Sequence, residues 1–153
     1  MAEDLPRGYT MKKKDTEELE QALSAATDVR AYFAENGEEL APRTLAEHLQ
    51  ILLNEKKLTR SLVAGRTRLD QSYAYHIFDG RKPNPSRQKV LALALAMELT
   101  PQEAQYLLYY AHCPRLYVRE PWDSILWHAL EKHLSVTDTN NLLTDLHETP
   151  LLE

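Results

Sequence analysis

Cysteine, glycine and long apolar runs are all scarce in this chain, and each scarcity removes a class of protein. The single cysteine, Cys113, cannot form an intramolecular disulfide, so a disulfide-stapled scaffold is excluded and a reducing interior is expected. Four glycines, with apolar residues recurring at helical rather than alternating spacing, leave little room for a β-sheet. No apolar run approaches the roughly 20 residues of a membrane span. The opening MAEDLPRGYTMKKKD lacks the apolar centre of a secretory signal, which predicts a cytoplasmic protein whose residues 1–14 are flexible. Gly-rich phosphate loops, HExxH and GxSxG are also missing. His112 beside Cys113 is a lone pair, and His128 and His133 are five apart, which does not set two ligands squarely on one helical face. The chain is therefore expected to hold no catalytic residues, no metal site and no cofactor, and not to be an enzyme.

What remains is a chain of 153 residues, 43% apolar, enough for one sizeable core in one domain. Its net charge is −5, yet residues 56–90 carry nine lysines and arginines against only Asp70 and Asp79, a local +7 that leaves −12 elsewhere. Salt screens charge beyond about 8 Å, so a nucleic-acid backbone would respond to this segment more than to the net charge. The alternative is a solvated basic face on a helical bundle. The acidic residues near the start, including Glu17, Glu18, Glu20, Glu35, Glu38 and Glu39, read as a solvated face; a sharper reading has them competing with DNA for the basic patch.

Caps and periodicity divide the chain into helices. Leu19, Leu23 and Ala26 follow Asp15 or Thr16 at helical spacing, and Asp28 can cap a short helix from Val29 to about Asn36, stopped at Gly37, with Tyr32 and Phe33 inward. Thr44 with Glu47 forms a capping box ahead of the stripe Leu45, Leu49, Leu52 and Leu53. Thr59 caps a helix near Arg60 to Arg66, and Asp70 caps one from Gln71 to Phe78, with Gly80 at the stop and Pro83 and Pro85 beyond. The next helix, about Arg87 to Glu98, reads VLALALAM and is apolar nearly all round, as a central pillar must be. Thr100, Pro101 and Glu103 open another, to about Ala111. Residues 90–116 then align with 125–151 at an offset of 35, matching Leu91 to Leu126, Ala94 to Ala129, Leu99 to Leu134 and His112 to His147. This reads as a second copy of a helical hairpin; two amphipathic hairpins that share leucines by chance are the alternative. The predicted organisation is a flexible N-terminus (1–14), a helical extension (15–42), a core (43–112) and a C-terminal hairpin (113–153), whose free flank needs either the core or a second subunit as cover.

Residues 58–83 have the parts of a helix-turn-helix: a small crossing residue at Ala64, buried positions at Val63, Leu69, Ala74 and Ile77, and Phe78 closing the second helix. At about 100° per residue, Ser72 and His76 fall opposite Ala74, with Tyr75 and Asp79 beside them, while Gln71 points past the helix start toward a base edge. Residues 45 to about 110 resemble the DNA-binding domain of the lambda-repressor-like or XRE (Cro and phage repressor) family, without a gap from Leu58 to Pro83. More widely, the chain is similar to bacterial XRE-type regulators with an N-terminal helical extension and a tail like SILWHALEKHLSVTDTNNLL. The resemblance implies an all-α bundle with added N-terminal helices and a C-terminal hairpin. It implies base contacts by Gln71, Ser72 and His76, to which Tyr75 is added, and phosphate contacts by Thr59, Arg60, Arg66, Arg68, Arg81 and Lys82. Two positions depart from the family: Arg60 replaces a frequent Gln, and Arg68 replaces the turn Gly. The expected function is sequence-specific binding of double-stranded DNA to regulate transcription, as a homodimer, with no membrane contact. The alternative is a protein-interaction module, antitoxin-like or an adaptor, that keeps the fold without binding DNA.

Overall fold

The computed structural model describes residues 14–40 and 43–152; of the stretch expected to be flexible, all but Lys14 lies outside them. Every regular element among the described residues is helical, so the fold is all-α. The chain divides into two compact units, parting between Arg43 and Thr44.

In the N-terminal unit α1 (Thr16–Ala25) starts at Asp15, whose carboxylate accepts from the Glu18 N–H, and α2 (Val29–Asn36) starts at Asp28, which accepts from the Arg30 N–H. α1 buries none of its residues, and α2 buries only Tyr32 and Asn36. Phe33, expected inward, is 55% exposed. Tyr32 and Asn36, four apart, take the one inner stripe that an eight-residue helix offers, and Phe33 lies off it. α2 ends at Gly37 as expected, but that glycine stays right-handed at φ −55° and leads into a 3-10 turn over Gly37–Leu40. Glycine permits a left-handed stop without requiring one.

The second unit begins with the Thr44–Glu47 capping box and α3 (Leu45–Lys56), followed by α4 (Arg60–Thr67), capped by Thr59, and α5 (Gln71–Phe78), capped by Asp70. α6 (Arg87–Ala96) is the pillar: Val90 to Ala96 are all buried, and it touches α4, α7 (Pro101–Tyr110), α8 (Pro121–Glu131) and α9 (Val136–Asp145). It ends two residues earlier than expected, because Glu98 turns left-handed at φ 55°.

The hairpin repeat is visible in the backbone. Glu98 (φ 55°) corresponds to His133 (φ 53°), and His112 (φ 59°) to His147 (φ 62°). The bond from Leu99 N–H to Ala94 O recurs as Leu134 N–H to Ala129 O, and that from Cys113 N–H to Leu108 O recurs as Glu148 N–H to Leu143 O. Leu126, Ala129, Leu130, Val136, Leu143 and Leu151 join the same apolar core as α6 and α7. Of the two covers open to the second copy, the core takes its inner side.

Candidate nucleic-acid interface

α5 is built to turn one face inward and the other out. The Asp70 carboxylate accepts the Tyr73 N–H and so satisfies one of the free N–H groups of the first turn. Ala74, Ile77 and Phe78 are buried, seating the helix on α3 and α4. Gln71 and Ser72 are exposed, and Tyr75 and His76 half-buried. Residues four apart share a row on a helix, so Gln71 with Tyr75, and Ser72 with His76, form two adjacent outer rows. The Gln71 amide nitrogen lies 3.5 Å from the Tyr75 hydroxyl. Tyr73 leans on the core, and the Lys89 ammonium sits 4.3 Å above its ring.

The residues expected on phosphate part into two groups. Thr59, Arg60, Arg81 and Lys82 are exposed at the start of α4 and just past the end of α5. Arg60 donates to the Gln50 side chain at 3.3 Å, a neighbour on α3 that the sequence did not single out, and Arg81, 74% exposed, lies 3.5 Å from Asp79. Arg66 and Arg68 are engaged within the fold. Arg66 donates to the Ala96 carbonyl at 3.3 Å and faces Glu98 at 3.8 Å; Arg68 donates to the Thr137 hydroxyl at 3.0 Å. Arg68 occupies the turn in the left-handed region at φ 63°, where an arginine is strained and glycine is not.

Acids outside the basic segment reduce its charge. Lys56 pairs with Glu103 at 2.8 Å, and Arg87 grips both oxygens of Asp123 at 3.0 and 2.9 Å. With the Arg66–Glu98 contact, three of the nine cations therefore face a carboxylate from beyond residue 90. Burial alone would raise the Glu103 pKa, but hydrogen bonds from Lys56 and from Thr100 outweigh it and hold the carboxyl below its ordinary value. Burial raises the pKa of the Cys113 thiol, against a smaller pull from Arg87.

A family model for a helix-turn-helix domain matches residues 44–107. This part of the chain is a helix-turn-helix domain. It takes in α3 to α6 and most of α7, with α4 and α5 as the pair that gives such a domain its name. No curated protein and no solved structure matches the chain. Among the described residues no helix is long and apolar enough to cross a membrane.

Proposed function

We propose that this protein binds double-stranded DNA sequence-specifically and regulates transcription, acting in the cytoplasm as a homodimer on two-fold-related half-sites. The observation that carries this reading is the outer face of α5: Gln71, Ser72, Tyr75 and His76 share it within a helix-turn-helix domain. The Gln71 amide suits the paired donor and acceptor of an adenine edge, and the Ser72 hydroxyl can serve either kind of base. Tyr75 meets a thymine methyl or a phosphate, and His76 a base edge further along the groove. Thr59, Arg60, Arg81 and Lys82 hold the backbone. Arg66 and Arg68 have further N–H donors for phosphate and also brace the domain through Ala96, Glu98 and Thr137.

Selecting bound fragments from the source genome with the purified protein, then titrating salt, tests the reading. A shared sequence should emerge, and log affinity should fall linearly with log salt by about 0.9 per phosphate contact. The pairing of Lys56, Arg66 and Arg87 with carboxylates favours a second reading, a protein-interaction module on the same fold. Binding that does not weaken with salt would select that one.

A further inference from the structure

The connection from α7 to α8, residues 111–120, lies beyond the helix-turn-helix domain but is held like part of a site. Arg87 donates to the carbonyls of Pro114 and Arg115, each at 2.9 Å. The Gln105 side chain accepts from the Leu116 N–H at 2.7 Å and donates to its carbonyl at 2.9 Å, and Asp123 accepts from the Tyr117 N–H at 2.8 Å. Leu116 is inserted into the core. The main chain is thus fixed without a helix, while Arg115, Tyr117, Val118 and Arg119 are exposed. Neither of these two arginines has a side-chain hydrogen bond or ion pair among the described residues, and no acid interrupts the run from Cys113 to Arg119.

The position of this loop follows from the first turn of α6. On one side Lys89 covers Tyr73 of α5; on the other Arg87 grips the loop, and Cys113 Sγ lies 3.9 Å from the Pro85 carbonyl. The loop therefore abuts Pro85, at the far end of the segment from α5 to α6 that also carries Arg81 and Lys82. Arginine forks match phosphate oxygens, and a tyrosine hydroxyl can donate to them.

We propose that residues 114–119 are a second DNA-backbone contact, in which Arg115 and Arg119, with Tyr117 between them, grip phosphates flanking the base pairs read by α5. Arg87 is the strut that holds this loop in place rather than a phosphate ligand. The proposal rests on the DNA-binding reading and extends it outside the helix-turn-helix domain.

The test uses the full chain and a mixed-sequence duplex of about three helical turns, with affinity followed by fluorescence anisotropy across a salt series. Arg115→Ala/Arg119→Ala should lower the salt slope by about 1.8, two contacts at about 0.9 each. Arg115→Lys/Arg119→Lys, which keeps the charges, should retain it. An unchanged slope in the double alanine variant, with normal salt-dependent binding by the parent protein, overturns this proposal alone. Salt-insensitive binding by the parent overturns the DNA reading with it. If the slope stays unchanged while Tyr117→Ala/Val118→Ala dissolves a dimer in sedimentation, the loop is a contact between copies, and the proposal fails.

Discussion

The two helical hairpins share a backbone plan and differ in what surrounds them. In the first, α6 buries seven consecutive residues, Val90 to Ala96, and α7 is fixed by a two-way capping box whose Glu103 also binds Lys56. The second copy has the same left-handed ends at His133 and His147, but α8 buries only Asp123, Leu126, Ala129 and Leu130, and Ser135 caps α9 by accepting the Asp138 N–H. Helix ends are set by local geometry and recur in both hairpins, whereas burial is set by neighbours and does not. The second hairpin behaves as a terminal repeat, apolar toward the core and polar outside.

The harshest way to break this comparison is to delete the second copy. Truncation after Glu120 should abolish cooperative thermal unfolding, followed by circular dichroism, because α6 loses the cover of α8 and α9. An unchanged melting curve would mean the tail is not integral. Arg87→Ala comes next: it strands the Asp123 carboxylate, only 6% exposed, and should cost about 3–5 kcal/mol in denaturant unfolding. A loss below about 1 kcal/mol would class the pair with surface salt bridges. Leu126→Ala, in the second copy, should cost about as much as Leu91→Ala in the first, roughly 2–5 kcal/mol each, since both are fully buried. A much smaller cost at Leu126 would show a looser second copy. The smallest effect is electrostatic. The folded-state pKa of Glu103 is lowered, so its contribution is present above the ordinary value near 4.5 and is lost as pH falls through the lower folded value. Glu103→Gln should therefore flatten the acid side of the stability curve, and an identical curve would remove the Lys56 contact from the account.

Most helix starts were legible because the signal is local: Asp70, Thr44 with Glu47, and Thr100 with Glu103 each act within one turn. Helix ends were harder. Lys57, Glu98, His112 and His133 take the left-handed region without being glycine, and Gly37, which is glycine, does not. The outer face of α5 could be read from period alone, since Ala74, Ile77 and Phe78 fix what is inside. The charge of the interface could not. Glu98, Glu103 and Asp123 meet Arg66, Lys56 and Arg87 across the fold, and a sequence window counts only near neighbours. The bond from Arg68 to Thr137 spans 69 residues and is out of reach of such a window for the same reason.

The central claim is that the outer face of α5 reads bases. It is tested most directly by comparing Gln71→Ala with the parent protein on a genome-selected duplex and on a scrambled one, by equilibrium anisotropy at fixed salt. The account predicts a loss of about 1–3 kcal/mol on the selected duplex and almost none on the scrambled one. Equal affinity of parent and variant for the selected duplex, or an equal loss on both duplexes, would contradict it.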